Sequence, residues 1–161
     1  AEVVIKLRAP SDSEVKKFTK GQVLISFVWP DQNKELLEKL GAKGVTCLAM
    51  DMVPRISRAQ KMDALSSQAN IAGYKAVLIA ASRLGVYMPL LMTAAGTIRP
   101  SKVLILGAGV AGLQAIATAK RLGAQVEAFD VRPVVKEQVE SLGAKFIEVE
   151  SESNDGVGDG W

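Results

Sequence analysis

One stretch constrains this chain more than any other: Val103-Leu104-Ile105-Leu106-Gly107-Ala108-Gly109-Val110-Ala111-Gly112. An apolar segment runs straight into three glycines spaced G-x-G-x-x-G, and a helix-period stretch opens at Val110. The spacing alone is a weak signal. It gains weight from the strand before it, the helix after it and a second strand ending in Asp130. In that setting Gly107 makes the tight turn, Gly109 lets the backbone approach a pyrophosphate, and Gly112 allows close packing of helix on strand. The N–H groups of Gly109, Val110 and Ala111 then face an anion at a helix N-terminus, where unpaired donors and the dipole favour negative charge. Asp130 stands where a carboxylate accepts hydrogen bonds from adenosine ribose hydroxyls and repels a 2′-phosphate. The motif therefore reads as a site for NAD(H) over NADP(H), with Arg132 nearby as a group able to pair with phosphate instead.

The surrounding pattern fits a nucleotide-binding sheet. After Pro100 the chain alternates strand 102–106, helix 110–122, strand 125–129, helix 133–142 and strand 145–149, half of a doubly wound sheet. An earlier block reads as strand 3–7, a Pro10 turn, a short acid-capped helix within 12–18, strand 23–29, helix 32–40 stopping at Gly41, and strand 45–50. Residues 23–29 are apolar on both faces, as in the middle of a parallel sheet covered on both sides. Between the blocks, Pro54-Arg55-Ile56-Ser57 breaks the alternation, and residues 59–84 read as mostly helical. The expected fold class is α/β: two Rossmann-like, doubly wound parallel-sheet subdomains, the second carrying the glycine run, both incomplete here. The expected division is 1–54 for part of the first subdomain, 55–100 for a junction loop and linking helices, 101–150 for the βαβαβ NAD-binding segment, and 151–161 for a flexible tail.

Composition narrows the chemistry. The 161 residues contain no histidine, which removes imidazole general bases, Ser-His and Cys-His nucleophile pairs and histidine metal sites from this chain. A single cysteine, Cys47, excludes an internal disulfide and any multi-cysteine metal site, and its place in an apolar strand suits a core residue. No metal site is expected. The net charge of +3 comes from scattered residues and forms no basic stripe, so no nucleic-acid partner is expected. The most apolar region, 76–96, is interrupted by Arg83, Gly85 and Pro89, so no membrane insertion by this chain is expected. A start at Ala1 and an end in SNDGVGDGW suggest a piece of something longer.

A second group of residues, Arg55, Gln60, Asp63 and Ser66, lies in PRISRAQKMDALSSQAN. Two readings stand. Ser57 and Gln60 form a capping box, with Gln60, Asp63, Ser66 and Asn70 on one solvated helical face. Alternatively the Arg, amide and carboxylate form a polar clamp able to orient a nicotinamide carboxamide and ribose.

The runs PRISRAQKMDALSSQANIAGYKAV, MTAAGTIRPSKVLILGAGVAGLQAIATAKRLGA and FDVRPVVKEQVESLGAKF resemble the NAD(H)-binding domain I, in the alpha subunit, of the proton-translocating NAD(P) transhydrogenases. The likeness extends to AEVVIKLRAP and LISFVWPDQN, and this chain covers part of that domain. The resemblance implies two α/β subdomains with NAD(H) in the cleft between them and a homodimer of such domains. Hydride would pass directly to NADP(H) held on a partner domain, with Re/Si specificity, and a separate membrane domain would translocate the proton. Carried over, Arg55 and Asp63 help hold the nicotinamide end, Ser66 lies beside it, and Gln60 sits where the NADP(H)-binding domain docks. Gly109, Val110, Asp130, Val131 and Arg132 contact pyrophosphate and adenosine. Such a domain lies at the cytoplasmic face of a bacterial inner membrane, or in the mitochondrial matrix.

Hydride transfer between two nicotinamides moves no proton to or from a hydroxyl, so it needs no general acid or base and is compatible with a chain lacking histidine. Two alternatives remain. An alanine-dehydrogenase-like oxidoreductase would place a catalytic histidine near Trp29, and none is present. A truncated, non-catalytic NAD-binding or interaction module would bind nucleotide without transfer.

Overall fold

A computed structural model describes residues 1–149. The chain forms two compact units, residues 1–65 and the residues from Ser66 onward. The tail read over 151–161 lies outside the described residues.

The first unit holds β1 (Val3–Ile5), α1 (Asp12–Val15), β2 (Val23–Ser26), α2 (Lys34–Ala42) and β3 (Thr46–Ala49). The strands are parallel in the order β1-β2-β3, so the doubly apolar β2 is the central one. Leu24, Val28 and Leu40 are fully buried with Val15, Phe18 and Val45 around them. Each such side chain contributes on the order of 2 kcal/mol. Cys47 packs against this core, and burial, with the nearby Asp51 charge, raises its pKa.

Helix α2 does not stop at Gly41. It continues to Ala42, and the left-handed residue is Gly44, at φ 66°. The Gly44 N–H donates to the Gly41 carbonyl at 2.9 Å and the Val45 N–H to the Leu40 carbonyl at 3.1 Å, the paired bonds of a Schellman cap. This register buries Leu40 and Val45 together in the core. Helices α4 and α5 end the same way, at Gly123 and Gly143.

After β3 come two 3₁₀ turns, Met50–Met52 and Ser57–Met62. Ser57 lies inside the second turn, whose N-cap is Ile56 and carries no side-chain cap bond, so the expected capping box is absent. Asp63 interrupts the helical path at ψ 84°, so Gln60 and Ser66 do not share one continuous helical face. The chain then enters α3 (Ala64–Arg83), 20 residues without a break.

The second unit adds β4 (Leu91–Thr93), β5 (Gly96–Ile98), β6 (Lys102–Leu106), α4 (Val110–Arg121), β7 (Gln125–Phe129), α5 (Lys136–Ser141) and β8 (Lys145–Phe146). Strands β6-β7-β8 form a parallel sheet in that order. Ile116, Ala119, Ala128 and Val139 are fully buried at its centre, with Val77 of α3 and Met88 in the same cluster. Strand β8 is shorter than expected, and a 3₁₀ turn over Pro133–Val135 precedes α5.

Strands β4 and β5 form an antiparallel hairpin inside the stretch read as linking helices. Its strands of three residues are too short to show a period, and its turn depends on Gly96 at φ 126°. Met92, on this hairpin, is 82% exposed, whereas Met88 packs in the core. Among the described residues no helix is long and apolar enough to cross a membrane.

Candidate functional site

The carboxyl end of β6 leads into Gly107 at φ 93°, a left-handed turn that a side chain would strain. Its N–H donates to the Phe129 carbonyl at 2.8 Å, which ties the loop to the end of β7. Gly109 is the N-cap of α4, with extended backbone and no side-chain cap. The first bond of the helix returns from the Leu113 N–H to the Gly109 carbonyl at 2.8 Å. By helix geometry, the N–H groups ahead of it, on Val110, Ala111 and Gly112, lack intrahelical partners. A Cβ on Gly109 would meet nothing within 4 Å, so the space over this turn is open. Gly112 is the opposite case: its Cβ would lie 1.8 Å from the Gly107 carbonyl oxygen and 3.6 Å from the Ile105 side chain. These features suit an anion: an uncapped helix start, room above it, and a turn held tightly from below.

Asp130 follows β7 and is the best-organised charge in the unit. Its Oδ2 accepts the Ala108 N–H at 2.7 Å and Arg132 Nη2 at 3.1 Å. Its Oδ1 accepts the Arg132 backbone N–H at 2.8 Å and Arg132 Nε at 3.0 Å. The Asp130 side chain is 5% exposed and that of Arg132 is 42% exposed. The guanidinium, helped by the two backbone N–H donors, holds the Asp130 pKa down at about 2. Sequence reading missed this double role. Asp130 anchors the glycine loop through Ala108, and its four acceptor positions are all taken. A further donor gains an Asp130 oxygen only as the guanidinium releases one.

Beside Asp130, at the carboxyl ends of β7 and β8, a cavity of about 280 Å³ is lined mainly by Phe129, Val131, Pro133, Phe146 and Ile147. Val131 is itself 78% exposed. The structure thus brings Gly107, Gly109, Val110, Ala111, Gly112, Asp130, Val131 and Arg132 to one end of the β6-β7-β8 sheet.

The second group is distributed differently. Arg55 and Gln60 are exposed, Asp63 is buried, and Ser66 is half-buried near the start of α3. These four residues lie along one stretch of chain that passes from the first unit into the second.

The first unit repeats the acid-to-loop device without glycines. Asp51, just past β3, accepts the Val28 N–H at 2.8 Å and the Trp29 N–H at 3.0 Å from the loop after β2. Trp29 has φ 50°, a left-handed backbone unusual for its type. The available signal was spacing: Trp29 precedes Asp51 by 22 residues, as Ala108 precedes Asp130.

Parallel strands linked by helices, with a glycine loop at the carboxyl end of one sheet, define an α/β protein with Rossmann-like units. The chain belongs to the alanine dehydrogenase/PNT family: the model of the family's C-terminal domain matches residues 76–159 and that of its N-terminal domain residues 1–72. The chain is 58% identical over 161 residues to the NAD(P) transhydrogenase subunit alpha of Cereibacter sphaeroides, which covers 99% of this chain and 31% of that protein. Among solved structures, a transhydrogenase from Sinorhizobium meliloti superposes with a TM-score of 0.84 at 55% identity, over 93% of this chain and 43% of that one. An L-alanine dehydrogenase superposes with a TM-score of 0.68 at 28% identity, over 91% of this chain and 42% of that one. The chain therefore spans less than half the length of each.

Proposed function

We propose that this chain is the NAD(H)-binding component of a proton-translocating NAD(P) transhydrogenase. It would work with NADP(H) on a partner domain, beside a membrane domain, as a homodimer at the cytoplasmic or matrix side. The observation that carries the reading is the open, uncapped first turn of α4 above a Gly112 contact that admits no side chain, in a chain 58% identical to a transhydrogenase alpha subunit. The residues present fit a dinucleotide. The Val110, Ala111 and Gly112 N–H groups offer donors to a pyrophosphate, Asp130 offers acceptors to a ribose, and the cavity past Val131 is apolar enough for a flat heterocycle.

The bound cofactor supplies the chemistry, a hydride from a dihydronicotinamide ring. The chain's own residues bind and orient. Asp130 takes ribose hydroxyls as Arg132 swings out, Arg55 and Asp63 hold the nicotinamide end with Ser66 beside it, and Gln60 faces the partner domain. Nothing here needs to take up a proton, which suits a chain without histidine. The reaction would then depend on orientation and the exclusion of water, which binding residues can supply without an acid or base.

The test is a transfer assay with the intact protein, NADH and an NADP(H)-binding partner domain loaded with NADP⁺. Oxidation of NADH that requires the partner is expected. NADH oxidation driven by a 2-oxo acid and ammonia without any partner would replace this reading with an alanine-dehydrogenase activity.

A further inference from the structure

Helix α3 crosses α4 at its first turn, and the crossing is closer than side chains allow. A Cβ on Gly73 would lie 2.0 Å from the Ala111 carbonyl oxygen, 2.8 Å from its carbon and 3.1 Å from its Cα. All three are backbone atoms, which cannot swing aside. One turn earlier on α3, the Asn70 amide donates to Gln114 Oε1 at 3.1 Å. One turn later, Val77 is 4% exposed and shares a buried cluster with Ala108 of the glycine loop. The two helices therefore run against each other from residue 70 to residue 77 of α3, with the bare Gly73 at the closest point.

Ala111 belongs to the turn whose N–H groups face the open space. The same turn is already fixed from below, where Gly112 sits on the Gly107 carbonyl. It has no room to retreat.

Helix α3 also carries Ser66 near its start, seven residues before Gly73, and follows Asp63 in the chain. Seven residues of unbroken helix are about 10 Å of rigid rise. We infer that Gly73 is a positioning residue: by seating α3 on the first turn of α4 it fixes the spacing between the pyrophosphate donors and the Ser66 end of the nicotinamide clamp. The inference rests on the NAD(H) reading above and deepens it. A Cβ at residue 73 pushes the two helices apart, so a ligand spanning both ends loses more than a ligand using the α4 end alone.

The experiment compares NADH with ADP, which carries adenosine and pyrophosphate but no nicotinamide, by titration of the intact wild-type protein, Gly73→Ala and Asn70→Ala. For Gly73→Ala, NADH affinity falls about tenfold or more and ADP affinity less than about threefold. Asn70→Ala adds no atoms and keeps the fold if Gly73→Ala does not; it shows the same unequal loss at about threefold for NADH. Equal losses for both ligands, or no loss in the folded variants, would overturn the positioning role. Wild-type protein that binds ADP but not NADH, or binds neither, overturns the NAD(H) reading itself, and this inference with it.

Discussion

Replacing Gly112 with alanine is expected to destabilise the second unit by about 3 kcal/mol or more, lowering its melting temperature by roughly 10 °C or more. The new Cβ would sit 1.8 Å from the Gly107 carbonyl oxygen and 2.8 Å from its carbon. Neither atom can move cheaply. Gly107 holds a left-handed turn at φ 93°, and its N–H is bonded to the Phe129 carbonyl at the end of β7. Relief would require α4 to lift off β6, exposing a helix whose Ile116 and Ala119 are completely buried. Gly109→Ala is the informative contrast, because its Cβ meets nothing within 4 Å and its φ of −76° suits any residue. That variant should lose about 1 kcal/mol or less, the cost of alanine at an N-cap, while the methyl group fills the space a pyrophosphate needs. Thermal melts with parallel NADH titrations read both effects. Similar melting temperatures for the two variants would contradict the packing argument.

Asp130→Ala should have the largest effect on binding. The substitution leaves the N–H of Ala108, a residue 1% exposed, without its acceptor, at a cost of about 1–3 kcal/mol. It also frees the Arg132 guanidinium and removes the acceptors proposed for ribose. NADH affinity is expected to fall by about 10- to 100-fold. NADPH should lose little, since the charge repelling its 2′-phosphate is gone and a free guanidinium is present to pair with it. A titration showing equal losses for both nucleotides would mean that Asp130 acts only as a loop anchor.

The same carboxylate gives a pH signature. Its folded pKa of about 2 lies below the ordinary carboxylate value near 4, so the native state holds fewer protons than the unfolded chain between those values. Its contribution is complete above about pH 4 and fades as pH falls toward 2. Urea unfolding of the wild-type protein should show this loss, and Asp130→Ala should show a smaller one, because Glu14, held at about 2 by Lys6 and by the Ser11 donors, titrates over the same range.

Where strand and helix periods were long, the fold could be read from the residues. The pairing of β6, β7 and β8 and the central place of β2 follow from apolar runs and glycine spacing. Local geometry decided the rest. Leu-Gly-Ala occurs at 40–42, 122–124 and 142–144, yet only the last two glycines end their helices. In the first, Gly44 competes and wins, because ending there brings Val45 and Leu40 into the core. The β4–β5 hairpin is too short for any periodic signal. At the site, the glycines and Asp130 were visible as types at a spacing. That Asp130 is saturated by Ala108 and Arg132, and that Gly73 is pressed on Ala111, are facts of three-dimensional packing that no one-dimensional pattern carries.

Whether the glycine loop and Asp130 form an NAD(H) site is decided by titrating the intact protein with NADH and with NADPH under identical conditions. The expected result for such a site is saturable NADH binding at least about tenfold tighter than NADPH. Binding of neither nucleotide, or a preference for NADPH, would contradict it.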